Sequence, residues 1–231
     1  MPTLDESYPT IVAALDARYG SPAEFRDDLD PFEAMVAVIL GRSVEPRKVD
    51  VALTVLRDAG LLDPGPLAEA DEIEIGDLFR EGKAPLSARA TAPIRRLARL
   101  LVDRHGGSAE PLRRGMPPTD PLREELAGIN GIGPAMADAI LLFALRRGTY
   151  PVDRATYRVL VRHGWLEPSD DYDEARAVVE RILPDDPDGL ARLSLWMERI
   201  GRDYCRVGSP RCDHCPLRPV LPEGGPREPG D

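Results

Sequence analysis

The sequence predicts an all-α protein. Apolar residues recur at helical spacing in one segment after another, and no stretch alternates apolar and polar residues for the length of a strand. Pro and Gly punctuate the chain where those segments end, and no repeat of fixed period is present.

The elements follow in order. YPTIVAALDARYG is a helix stopped by Gly20, a residue that enters the left-handed region without strain. DPFEAMVAVILGR opens on an Asp-Pro pair and is apolar on almost every side, which predicts a buried central helix. KVDVALTVLRDAG and TAPIRRLARLLVDRHGG are amphipathic and close on glycine. PLREELAGI, PAMADAILLFALRRG, ATYRVLVRHGW, DYDEARAVVERILP and DGLARLSLWMERIGRDYC supply the remaining helices. The tail PEGGPREPGD lacks apolar residues and is expected to be disordered.

The 231 residues suffice for two lobes around separate cores. The expected division is residues 29–146, a six-helix barrel, against residues 1–28 with 147–222, and a disordered tail at 223–231. No run approaches the roughly 18 apolar residues of a membrane span, and the N-terminus has neither the basic start nor the apolar core of a secretory signal. Three cysteines crowd one short window, unlike a spread disulfide framework, so a reducing cytoplasm is the expected location.

A net charge of −10 argues against a phosphate partner, but its distribution does not. Arg89, Arg95, Arg96, Arg99, Arg104, Arg113 and Arg114 form one cluster; Arg146, Arg147, Arg154, Arg158 and Arg162 form another. Such stretches are more often solvated faces than binding surfaces, so charge alone decides nothing.

Chemistry concentrates in LAGINGIGPAMADAILLFALRRGTYPVDRATYRVLVRHG. Gly131-Ile132-Gly133 makes a tight turn between two helices, with Pro134 at the favoured first position of the second. The glycines admit a close partner, and the unpaired N–H groups of a helix start suit an anion. Ile129 and Ile132 would pack the turn. Taken alone, the turn is equally an ordinary corner between helices, and an aspartate before a helix is equally an N-cap.

The turn, the VD at Val152 and Asp153, Arg158 five residues on, and the CRVGSPRCDHCPLRP run together resemble the helix-hairpin-helix DNA glycosylases of the endonuclease III superfamily. In detail, GIGPAMADAIL looks closest to the subgroup near the 3-methyladenine glycosylases. The likeness runs over roughly residues 8 to 222. It implies two helical lobes flanking a DNA cleft and duplex DNA with a damaged base as partner. It also implies a phosphate anchor at Ile129, Gly131, Ile132, Gly133, Pro134 and Ala135, and Asp153 as the catalytic carboxylate. Breaking an N-glycosidic bond develops positive charge on the sugar. A carboxylate beneath an everted nucleotide would stabilise that charge and orient water. Arg42, at the end of the early buried helix, and Arg158 are further DNA-binding candidates. A soluble, nucleoid-associated monomer without membrane contact is expected.

The chain departs from the family pattern in three places. Bifunctional members carry a lysine two residues past the hairpin's last glycine, where it forms a Schiff base with the sugar; here Ala135 stands there. The chain has two lysines, Lys48 and Lys83, neither close to the hairpin in sequence. A monofunctional, water-using glycosylase is therefore expected. A bifunctional glycosylase/lyase and a non-catalytic lesion-binding protein remain the alternatives, and the amine of Pro2 is a remote substitute nucleophile. Adenine-removing relatives have a catalytic glutamate at the position that matches Ala37 here. Finally, the family's C-x6-C-x2-C-x5-C loop for a [4Fe–4S] cluster retains Cys205, Cys212 and Cys215 but has Leu221 in the fourth place. Four ligands close such clusters and zinc sites alike. A cluster on three sulfurs, a zinc site completed by a histidine such as His214, and a metal-free loop packed around Leu221 all stay open.

Overall fold

The computed structural model describes residues 2–22, 25–41, 46–82, 84 and 90–228. Their regular structure is helical throughout. In chain order it comprises α1 (Leu4–Tyr19), α2 (Pro31–Gly41), α3 (Pro46–Asp58), α4 (Pro64–Glu69), α5 (Glu72–Glu81) and α6 (Thr91–Arg104). Then come α7 (Glu110–Arg113), α8 (Thr119–Ala127), α9 (Pro134–Ala139), α10 (Arg154–Arg162), α11 (Tyr172–Glu180) and α12 (Pro187–Asp203). No helix among the described residues is long and apolar enough to cross a membrane.

The chain forms two compact units, Phe25–Arg147 and Met1–Glu24 with Gly148–Asp231. Residues 25–28 go with the first because Arg146 holds them there. Its guanidinium lies over the Phe25 ring, 4.5 Å from the centroid, and pairs with Asp27.

In the first unit, α2 is the buried helix its composition predicts. Phe32, Ala34, Met35, Val36 and Leu40 are all buried, and α2 packs against α3, α6, α7 and α9. Each buried large apolar side chain contributes roughly 1.5–3 kcal/mol. The described residues of this unit hold eight α-helices where six were expected. The surplus is α4 and α7, of 6 and 4 residues, too short to carry a readable apolar period. A second difference lies beyond α9. PAMADAILLFALRRG reads as one helix, but the chain widens into a π-helical turn at Ile140–Ala144. Ile140, Leu141, Leu142 and Ala144 are all buried in that turn, and α2 packs on it.

In the second unit α12 packs on α10 and α1. A Cβ on Gly201 would collide with that of Ala155, so α12 and α10 touch almost backbone to backbone. Trp196 is buried, its indole donating to the Gly20 carbonyl at 3.0 Å. α1 begins before the sequence reading placed it. Thr3 and Glu6 form a capping box, which fixes the start at Leu4 despite Pro9 inside the helix. The tail also corrects an expectation of disorder as far as Glu228. The Arg227 amide donates to the Arg162 carbonyl at 3.0 Å and its guanidinium pairs with Glu167 at 2.7 Å.

Candidate active site and nucleic-acid interface

The glycine turn connects α8 and α9. Gly131 has φ +97°, and an added Cβ would come within 2.7 Å of Pro93 Cγ, so both conformation and space demand glycine. Ile132 is 1% exposed and its amide donates to the Ile129 carbonyl at 2.8 Å, closing the turn from inside. Gly131, Gly133 and Pro134 are exposed, while Ile129 and Ala135 are half-buried. The Gly133 carbonyl accepts from Met136 and Ala137, both at 3.0 Å, and Pro134 has no N–H. That leaves the outward amides of Gly133 and Ala135 without a bonded acceptor among the described residues.

Two contacts that sequence reasoning missed hold this turn. Arg96 donates to the Asn130 carbonyl at 2.7 Å. Arg123 of α8 forms a two-pronged pair with Asp138 of α9, at 2.7 and 3.1 Å, and Asp138 has no exposed surface. The other arginines of the first cluster are largely spent on the protein itself. Arg95 pairs with Glu72, Arg99 with Glu69, Arg104 with Glu125 and Arg114 with Glu110. Arg147, from the second cluster, is buried and donates to the Leu112 and Pro117 carbonyls. His105 caps the end of α6 and meets Glu125 at 2.9 Å.

In the other unit, Asp153 is both an N-cap and an open carboxylate. One oxygen accepts from the Thr156 amide at 2.6 Å, starting α10. The residue is nonetheless exposed, at the wall of an open cavity of ≈ 630 Å³ lined also by Val152, Arg154, Tyr157, Arg158 and Tyr172. Its neighbours fix the approach of the loop. The Tyr150 amide donates to Glu180 at 2.8 Å, and the Val152 amide to the Tyr172 hydroxyl at 3.3 Å. The Tyr150 and Thr156 hydroxyls meet at 3.2 Å beneath the cap, and burial raises the Tyr150 phenol well above its usual range. Arg158 is half-buried, its Nε donating to the Cys205 carbonyl at 3.0 Å, so it ties α10 to the cysteine loop. Arg42 and Lys83 lie outside the described residues.

No family model matches the chain. It is 30% identical over 202 residues to a candidate DNA repair glycosylase of Methanocaldococcus jannaschii, covering 85% of this chain and 86% of that one. The chain belongs to the endonuclease III family of DNA glycosylases. Endonuclease III of Thermotoga maritima is 25% identical over 191 residues, covering 83% of this chain and 82% of that protein. A solved endonuclease III, trapped as a covalent intermediate with DNA, has the same fold, with TM-score 0.71 and 23% identity. That match covers 97% of this chain and 98% of the other.

The sequence resemblance implies a cluster loop at residues 205–221, and the residues there test whether a cluster fits. Cys205, Cys212 and Cys215 line one cavity, and Leu221 is on the same wall with Arg162 and His163. The fourth position therefore faces the sulfurs but offers only methyl groups. The cavity is ≈ 10 Å³, about the room for one water. Arg162 Nη1 occupies its edge, donating to Cys205 Sγ at 3.1 Å and to the Arg206 carbonyl at 3.0 Å. His163 Nδ1 meets the Val159 carbonyl at 2.8 Å, and its ring stacks on Trp165 at 4.6 Å. His214 is exposed, and among the described residues no group of His, Cys, Asp or Glu is arranged to hold a metal ion. Burial pushes the Cys215 thiol up to about 11. This donor set does not fit a four-ligand cluster.

Proposed function

We propose that this endonuclease III-type glycosylase is monofunctional: it removes a damaged base from duplex DNA by water attack, with Asp153 as the catalytic carboxylate. The observation that carries the reading is the dual use of Asp153. One oxygen is committed to the start of α10, which fixes the side chain's direction, while the residue stays exposed beside an open cavity. A carboxylate so held stabilises developing positive charge without having to reorient. Tyr157 and Tyr172 line the same cavity and supply aromatic surface for a nucleoside lifted from the stack. The exposed Gly131–Pro134 turn, with outward amides at Gly133 and Ala135, is the helix-hairpin-helix phosphate anchor, reading backbone and not bases. Ile129 and Ile132 shape the anchor from within.

The monofunctional reading rests on Ala135, which has no amine to form an imine with the sugar. Duplexes carrying alkylated, oxidised or deaminated bases test the proposal. Wild type should release one class of base, leaving an intact abasic strand, and borohydride should trap no covalent complex. Asp153→Asn should lower single-turnover release at least 100-fold while binding to an abasic-site analogue stays within about threefold. Efficient trapping, or undiminished release by Asp153→Asn, would refute it.

A further inference from the structure

We infer that the cysteine loop of this chain folds and works without iron, its space taken by Leu221 and by the contact of Arg162 with Cys205 Sγ. The first observation is the cavity wall. Three sulfurs and the Leu221 side chain converge on one small void, so the leucine stands where a fourth ligand would complete the set. The family's loop spacing is otherwise intact. A void of ≈ 10 Å³, with Arg162 donating to Cys205 Sγ at its edge, leaves no room for iron, so both the fourth sulfur and the cradle are missing.

The second observation is that protein contacts already fasten the loop on every side. Its two 3₁₀ turns, Cys212–His214 and Arg218–Val220, are closed by backbone bonds. Cys215 donates to the Cys212 carbonyl at 3.2 Å, and Leu221 to that of Arg218 at 3.1 Å. Leu217 and Val220 are buried at 1% and 8% exposure, and the second turn packs on α1. Arg158 holds the Cys205 carbonyl, and Arg162 holds both the Cys205 sulfur and the Arg206 carbonyl. Beyond Leu221 the chain turns back, and the Arg227 amide seals onto the Arg162 carbonyl. A metal would be a redundant staple in such a frame. Packing and hydrogen bonds, at about 1 kcal/mol for each typical bond, hold the loop in its place.

The test compares full-length wild type, Leu221→Cys and Leu221→Ser, purified anaerobically and incubated with ferrous iron and sulfide, then desalted. Iron and acid-labile sulfide per chain, absorbance near 400 nm, and melting temperature with and without a chelator are read for each. Wild type and Leu221→Ser should retain less than about one-tenth of an iron per chain, show no band, and melt at a temperature the chelator does not change. Leu221→Cys should also stay below that level, because a fourth thiol does not enlarge a void of ≈ 10 Å³. The serine variant controls for loss of the leucine's packing. Wild type that keeps three or four irons with the 400 nm band overturns the inference. So does a wild type whose melting temperature the chelator lowers, or a Leu221→Cys that takes up four irons. Neither result depends on glycosylase activity.

Discussion

Arg123→Met removes one half of the pair that joins the two helices of the glycine turn. Asp138 has no exposed surface, and Arg123 reaches it with two bonds of 2.7 and 3.1 Å. Deleting one partner of a buried pair leaves the other charge desolvated, which costs about 3–5 kcal/mol. For a chain of this size each kcal/mol lowers the melting temperature by roughly 2–4 °C, so a fall of roughly 10 °C is expected. The argument makes a sharper claim about the double variant. Arg123→Met with Asp138→Leu removes both charges and fills the space with apolar atoms, so it should recover at least half the loss. Urea unfolding followed by circular dichroism measures all three variants, and the coupling energy should exceed about 2 kcal/mol. A single variant within about 1 kcal/mol of wild type would show that the pair is not what clamps α8 to α9. So would a double variant whose loss is the plain sum of the two singles.

Asp153→Ala should cost about 1 kcal/mol through loss of the Thr156 cap, whereas Asp153→Asn should cost a few tenths, because an amide oxygen still caps; thermal melts distinguish them. Gly131→Ala should lose at least about 1–2 kcal/mol from the left-handed backbone, with more from Pro93, and weaken abasic-duplex binding in gel shifts. Gly201→Val should lower the melting temperature by several degrees, because its side chain has to displace α10 from α12. His163 has its pKa lowered, first by burial, although its bonds to backbone oppose the shift. The imidazole stays neutral in the fold while the unfolded chain protonates it below about 6.5, so stability should be full above that pH and decline as pH falls toward the lowered value. His163→Phe should show a shallower acid decline over that window in chemical denaturation.

The helical class was legible because periodicity survives wherever one face is buried, as in α6 and α10. The turn was legible because Gly131 and Pro134 are residues with few other uses there. Helix starts were less so: the segment read from Tyr8 begins at Leu4, where the Thr3–Glu6 capping box sets it. The π-helical turn after α9 is invisible in ILLFA, because a continuous apolar run carries no phase from which a change of winding could be read. The arginine clusters resisted for a different reason. Arg96, Arg99 and Arg104 find partners 34, 31 and 21 residues away, and only folding shows whether a cation faces a carbonyl or the solvent. The same holds for Arg123, whose role emerges once α9 brings Asp138 beside it. At Asp153 the sequence left a cap and a catalytic acid as rival readings, yet the geometry of the cap leaves the residue exposed, so the two readings do not compete.

The double duty proposed for Asp153 constrains descent. A lineage that abandoned the chemistry but kept the shape could not drift freely at this codon, because most replacements would unravel the beginning of α10. Asparagine, serine and threonine are the exits that silence the acid and still receive the Thr156 amide. Inactive descendants of such a chain should therefore be recognisable by one of those three residues ahead of an otherwise unaltered helix.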